Sequence, residues 1–131
     1  MALRTIEWKN GVVVTVDQTK LPNSMKYFEI DTCDKMANAI KVMKIRGAPL
    51  LGVAAAYGLA LAAYHSEAKT REGLLRELDA SAGLLKKTRP TAVNLFWAVE
   101  RVLKKAKETV GNASDVANAI VKEAEKMADE D

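Results

Sequence analysis

The sequence contains few of the residues on which disulfides, metal sites and aromatic cores depend. Its 131 residues include one cysteine, Cys33, and one histidine, His65, and aromatic side chains make up only 5%. A single cysteine excludes an intramolecular disulfide, and these two residues cannot form a cluster of zinc ligands. We therefore expect a cytoplasmic protein with no metal or other cofactor and a core of Ala, Leu and Val.

An excess of charge of one sign is also lacking. The chain has 20 Lys and Arg residues against 17 Asp and Glu residues, a net charge of +3. So small an excess does not by itself indicate a polyanionic partner. The stretch 86–107 is basic, with Glu100 as its sole acid. Because exposed aromatic residues do not alternate with these cations, we expect a solvated helix surface and no nucleic-acid interface, with Phe96 and Trp97 packed inside.

The first thirty residues favour strands. Segments 5–8 and 12–16 are rich in β-branched residues or alternate apolar with polar ones, and Asn10-Gly11 between them is a strong hairpin signal. A third strand is predicted over 26–30. From Thr32 onward the apolar spacing is helical. The sequence therefore predicts an α+β domain: a small three-stranded antiparallel sheet over about 3–30, followed by about five helices over about 32–129.

Capping residues and apolar spacing divide the helical part. Thr32, Thr70 and Ser114 are predicted N-caps, and Arg89-Pro90-Thr91 is predicted to begin the fourth helix. The positions predicted to face inward are Met36, Ile40 and Met43, then Leu74, Leu78 and Leu85, then Val93, Phe96, Val99, Leu103 and Ala106, and finally Val116, Ile120, Ala124 and Met127.

One segment, 47–64, carries no charge. It is about the minimum length for a membrane span. Its many alanines, together with Gly52 and Gly58, instead favour a central helix that neighbouring helices approach closely on all sides. We therefore expect no membrane association.

Two loops share an arrangement suited to binding phosphate. In Arg46-Gly47-Ala48-Pro49 a fixed positive charge precedes a helix whose first N–H groups lack intrahelical partners. Arg89-Pro90-Thr91 repeats the arrangement of an arginine, a proline near a helix start and a hydroxyl. Such groups bind phosphate well. The same patterns also occur in ordinary helix–helix turns with a solvated arginine, and the residues alone leave both interpretations open.

The remaining candidates are weaker. Cys33 follows the predicted cap Thr32 and could be an activated thiol, but a small buried residue is the simpler interpretation. His65 follows the apolar helix and is expected to have a stabilising role as a cation near a helix C-terminus. The sequence contains no metal-ligand spacing and no glycine-rich nucleotide loop.

Four motifs together resemble the methylthioribose-1-phosphate isomerases of methionine salvage. Their wider family includes ribose-1,5-bisphosphate isomerases and regulatory subunits of translation initiation factor 2B. The motifs are RTIEW (4–8), DQTKLP (17–22), RGAPLLGVAAAYG (46–58) and TRPTAVNL (88–95). The resemblance implies an aldose–ketose isomerase, an intramolecular oxidoreductase, acting on 5-methylthioribose 1-phosphate. It further implies that Arg46, Gly47, Ala48 and Arg89 contact the phosphorylated pentose.

The resemblance also implies what this chain does not contain. Members of the family are considerably longer, and their second half is an α/β domain that carries a catalytic cysteine and aspartate. Residues 1–131 are therefore expected to form a single N-terminal substrate-binding domain with no catalytic residue, inactive alone and part of a homodimer when intact. Cys33 lies in the wrong motif to be the family's cysteine. A ribose-1,5-bisphosphate isomerase and a non-catalytic module like the initiation factor subunits remain as alternatives.

Overall fold

A three-stranded sheet precedes five helices in the computed structural model, which describes residues 6–17, 26–42, 45 and 48–130. This confirms the predicted α+β class. The strands are β1 (Ile6–Lys9), β2 (Val12–Val16) and β3 (Tyr27–Ile30). The helices are α1 (Cys33–Lys41), α2 (Ala48–Tyr64), α3 (Arg71–Thr88), α4 (Val93–Glu108) and α5 (Ala113–Glu130).

The sheet is antiparallel, with β2 in the centre. The turn between β1 and β2 places both Asn10 and Gly11 at positive φ, 50° and 86°, which is the conformation that an Asn-Gly hairpin signal predicts. Trp8 pairs with Val13, and Val13 pairs with Ile30. This row joins the core of the helices, so the helices cover one face of the sheet.

Helix α2 is the centre of the molecule and packs against each of the other four helices. All of its residues from Leu51 to Leu61 are buried. Gly58 allows close approach, because a Cβ added there would lie 3.2 Å from a methyl carbon of Leu85 and 3.3 Å from Cγ of Met36. The predicted central helix is thus confirmed. Among the described helices, none is both long and apolar enough to cross a bilayer.

Two of the three predicted N-caps are confirmed. Oγ1 of Thr32 accepts a hydrogen bond from the N–H of Lys35 at 3.1 Å, and Oγ1 of Thr70 accepts one from the N–H of Gly73 at 3.0 Å. The third prediction, Ser114, is wrong because α5 already begins at Ala113.

The start of α5 is closed by a reciprocal pair of hydrogen bonds. Asn112 accepts the N–H of Asp115 through its side-chain oxygen, and the Asp115 carboxylate accepts the N–H of Asn112, both at 3.0 Å. This exchange satisfies two donors at the helix start that would otherwise lack partners. Ser114 therefore lies inside the helix.

Helix α4 begins later than predicted. Residues 89–92 form a turn in which the N–H of Ala92 donates to the carbonyl of Arg89 at 3.0 Å, so Pro90 precedes the helix. Val93 was predicted to face inward but is 76% exposed. It lies about 200° around the helix from the buried Leu95, since successive residues turn by about 100°. The other predicted inward positions are buried or half-buried, except that Met43 lies outside the described residues.

Candidate anion-binding site and adjoining pocket

Only part of the predicted phosphate site falls within the described residues. Arg46 and Gly47 lie outside them, and Ala48 is the first residue of α2. Arg89 is described, and it follows α3 directly at the start of the turn that leads into α4. The structure therefore describes the position of one predicted guanidinium and of the helix start that follows the other.

The Arg89 side chain is half-buried and anchored at one nitrogen. Its Nε donates to the carbonyl of Ile40 in α1 at a long distance of 3.4 Å. Within the described ranges no carboxylate forms an ion pair with Arg89. A positive charge that is held in place without a neutralising acid can bind an anion.

The first turns of α2 and α4 meet at this side of the molecule. A Cβ added to Gly52 would lie 3.3 Å from the carbonyl oxygen of Asn94 and 3.5 Å from Cβ of Ala98. The glycine thus lets the two helix backbones pack closely within about one turn of their N-termini. The first turn of α2 and the turn that leads from Arg89 into α4 therefore approach the same region, where both helix dipoles favour negative charge.

A pocket of about 210 Å³ opens beside these two helix starts. It lies where α2, α4 and the end of α5 meet. Its lining residues are Pro49, Gly52, Val53, Asn94, Trp97, Ala98, Arg101, Met127 and Glu130. The pocket was not predicted from the sequence, because its wall combines residues from three separate helices.

Trp97 forms the most exposed aromatic surface of the pocket. The prediction that it packs inside was wrong, since 61% of it is exposed. Like Val93, it lies about 200° around α4 from a buried leucine, Leu95, which is two residues away. The guanidinium carbon of Arg101 sits 5.5 Å from the centroid of the Trp97 ring, a cation–π distance. A prediction that took Leu95 as the centre of the buried face, instead of the first apolar residue Val93, would have placed Trp97 on the exposed face.

Arg101 is the cation of the pocket, and two carboxylates neutralise it. Its Nε donates to Glu123 at 2.7 Å, and its two terminal nitrogens donate to Glu130 at 2.9 and 3.0 Å. The hydrogen bonds to Glu130 are the main reason that the pKa of Arg101 is raised, and those from Arg101 hold the pKa of Glu130 below its usual value. This cluster connects α4 to the end of α5.

The other candidate residues have structural roles. Burial raises the pKa of the Cys33 thiol to about 11, which makes it a poor nucleophile at neutral pH. Nε2 of His65 hydrogen-bonds to the carbonyl of Gly11 at 2.7 Å and so connects α2 to the hairpin. In the basic stretch, Lys86 pairs with Glu100 and lies 5.7 Å from the centroid of the Phe96 ring. The described residues contain no group of three or more metal-ligating side chains.

Comparison with known proteins identifies the family. A sequence profile described as the Initiation factor 2 subunit family matches residues 44–131. The chain belongs to this family. Members of it are named for two different roles, as the similar sequences and solved structures show.

The similar sequences confirm the predicted resemblance. The chain is 49% identical over 124 residues to a methylthioribose-1-phosphate isomerase of Nostoc punctiforme. The matched region covers 95% of the chain and 35% of the relative. It is 46% identical to the methylthioribose-1-phosphate isomerase of Geobacter metallireducens, and here the matched region covers 100% of the chain and 38% of the relative. The chain thus spans little more than a third of the length of these family members.

Two solved structures share the fold of the chain. A 5-methylthioribose 1-phosphate isomerase from Pyrococcus horikoshii superposes with a TM-score of 0.93 at 45% identity, covering 98% of the chain and 36% of that structure. A structure described as translation initiation factor eIF-2B, subunit delta, from A. fulgidus gives 0.92 at 42% identity, covering 99% and 38%. The fold alone therefore does not distinguish an isomerase from an initiation factor subunit.

Proposed function

We propose that this chain is the N-terminal substrate-binding domain of an isomerase that converts 5-methylthioribose 1-phosphate into 5-methylthioribulose 1-phosphate. The observation that carries the proposal is an identity of 46–49% to isomerases of this name over 95–100% of the chain. The position of Arg89 supports it, because its guanidinium pairs with no carboxylate among the described residues and lies in the turn that leads into α4, next to the start of α2. The intact protein is proposed to be a cytoplasmic homodimer.

The chemistry of the substrate explains why a phosphate-binding domain is needed. The phosphate is on the anomeric carbon, so the ring cannot open by simple reversal of a hemiacetal. Isomerisation requires ring opening and a proton or hydride shift between C1 and C2, with charge developing on both oxygens. Arg46, Gly47, Ala48 and Arg89 are proposed to hold the phosphate and thereby fix C1 relative to acid and base groups of the rest of the protein.

Closure of a second domain over this site would exclude water from the reacting sugar. The groups that move protons are proposed to belong to that domain, and the 131-residue chain alone is expected to be inactive. In this proposal, residues 1–131 bind and orient the substrate, and the rest of the protein carries out the chemical step.

The test is the kinetics of arginine variants of the protein produced from its whole gene. Arg46→Ala and Arg89→Ala should each lower kcat/KM for 5-methylthioribose 1-phosphate by roughly ten- to a hundredfold, the effect of losing a charged hydrogen bond. Arg76→Ala, an exposed arginine of α3, is the matched control and should leave the kinetics unchanged. Unaltered kinetics in both test variants would contradict the assignment.

A second candidate function follows from the similarity to the A. fulgidus initiation factor subunit. A regulatory subunit of that kind acts through protein contacts and does not turn over a sugar phosphate. Absence of isomerase activity in the whole protein, together with tight binding to another translation factor, would favour this function. Turnover of ribose 1,5-bisphosphate alone would instead identify a sibling isomerase.

A further inference from the structure

We propose that the pocket beside Trp97 receives the 5-methylthio group of the substrate, and that Trp97 is the residue that selects this group. The inference rests on the proposed function, because it assigns the opposite end of the same sugar phosphate. Three features of the pocket carry it: its position, the chemistry of its walls and its charge.

The position of the pocket suits the far end of a bound pentose phosphate. Pro49 and Gly52 line it from the first turns of α2, directly after the loop proposed to hold the phosphate. Asn94 lines it from the first turn of α4, which follows the turn containing Arg89. A sugar whose phosphate lies at these helix starts therefore has this pocket beside it.

The walls of the pocket suit a thioether. Trp97, Pro49, Val53, Ala98 and Met127 supply an apolar lining. A sulfur atom makes favourable contacts with aromatic rings, and a methylthio group gains further by leaving water. The pocket volume of about 210 Å³ is ample for a group of two heavy atoms.

The charge of the pocket disfavours a second phosphate. Its cation, Arg101, already donates to Glu123 and bidentately to Glu130. No other lysine or arginine is among the lining residues in the described part of the chain, and the Glu130 carboxylate faces the same space. A phosphate at C5 would meet this carboxylate without an unpaired cation to balance it, whereas a neutral methylthio group would not.

Trp97 is positioned in advance for this role. The contact with Arg101 fixes one side of the indole ring, and Arg101 is itself held by two carboxylates. The rest of the ring remains exposed, although burying an aromatic ring would stabilise the fold. An aromatic side chain that is held in place yet exposed at a pocket is a typical binding surface.

The experiment compares two sugar phosphates that differ only in the methylthio group. Binding of 5-methylthioribose 1-phosphate and 5-deoxyribose 1-phosphate is measured by titration calorimetry on the protein produced from its whole gene. The wild type should bind the methylthio sugar about tenfold more tightly. Trp97→Ala should abolish this preference by weakening the methylthio sugar alone, and Trp97→Phe should retain part of it.

Val93→Ala is the matched control, because Val93 is exposed one turn earlier on α4 and does not line the pocket. It should leave both affinities unchanged. A second measurement is the tryptophan fluorescence of the whole protein, in which the part of the emission change that is seen in the wild type and lost in Trp97→Phe reports Trp97. The methylthio sugar should shift this emission, and the deoxy sugar should not.

Several outcomes would overturn the proposal. Trp97→Ala could lower the affinity for both sugars equally, with or without a lower unfolding temperature of the whole protein. Either result would show that another segment of the protein or a second copy covers Trp97. If ribose 1,5-bisphosphate binds more tightly than the methylthio sugar, the charge argument fails. The expected binding pattern without any turnover would overturn the proposed isomerisation and leave the methylthio site standing.

Discussion

The two ends of the central helix α2 are covered very differently. In its C-terminal half, Tyr57 stacks on Trp8 with ring centroids 5.9 Å apart, and Tyr64 meets Trp8 edge-on at 5.5 Å. The adjoining His65 hydrogen-bonds to the carbonyl of Gly11. Two strands and the helix end thus close around a cluster of rings.

Among the described residues, the N-terminal end of α2 is covered less completely. Pro49 is exposed, the pocket beside it is lined by the largely exposed Trp97, and Ala92 caps α4 without a side-chain hydrogen bond. Arg89 has no carboxylate partner within the described residues. One end of the helix thus uses its aromatic and polar groups for stability, whereas the other leaves them available. This is the cost in stability that binding sites typically carry.

Removing an aromatic ring from each end should give the largest contrast. Tyr57 is 1% exposed, so Tyr57→Ala should lower the free energy of unfolding by about 3–5 kcal/mol, as for other buried aromatic residues. Trp97→Ala should change it by about 1 kcal/mol or less, because most of the ring is already in water and an exposed cation–π contact such as that with Arg101 contributes about 0.5–1 kcal/mol. Urea unfolding of the two variants measures both values. Similar losses would contradict the comparison.

Substitution of two glycines should give a stability difference of intermediate size. Gly11 has a φ of +86°, and an added Cβ would overlap the Tyr64 ring. Gly11→Ala should therefore destabilise the chain by about 1–3 kcal/mol. The control is Gly83→Ala in α3, where an added Cβ meets nothing within 4 Å. It should stabilise by about 0.5–1 kcal/mol, and thermal unfolding would show the opposite signs. A tolerated Gly11→Ala would mean that Tyr64 moves aside easily.

Local signals were sufficient to predict most of the closed end. The Asn10-Gly11 turn, the strand at 12–16 and the uncharged run of α2 each depend on residues near in sequence. The threonine caps were predictable for the same reason, since Thr32 and Thr70 bond to N–H groups three residues ahead. The prediction that Ser114 is an N-cap was wrong because α5 begins at Ala113, where Asn112 and Asp115 exchange two hydrogen bonds.

The N-terminal end of α2 was predictable only in part. The motif containing Arg89 predicts an anion-binding group, and this stays a prediction. The contact of Gly52 with Asn94 places α4, which follows this motif, next to the start of α2. The pocket was not predictable, because Arg101 meets acids that lie 22 and 29 residues further along the chain. The exposure of Trp97 depends on the rotation of α4 about its axis. Residues 95–99 are all apolar, so the sequence does not show which of them face the core.

Acid titration should reveal the smallest difference between the ends. Hydrogen bonds from Arg101 lower the pKa of Glu130 from 4.5. A lowered pKa stabilises the fold above the pKa of the unfolded chain, and this contribution disappears as the pH falls through the folded value. Glu130→Gln should therefore be less stable than the wild type at neutral pH, and the two should converge in acid.

The measurement is the thermal unfolding midpoint of wild type and Glu130→Gln from neutral pH down to about pH 3. Glu125→Gln, an exposed position on the same helix, should follow the wild type at every pH. Parallel curves for Glu130→Gln would show that the carboxylate contributes no charge-dependent stability. Convergence would show instead that the pocket wall formed by Arg101 and Glu130 depends on pH, whereas the ring contacts of Trp8 with Tyr57 and Tyr64 at the other end of α2 contain no carboxylate.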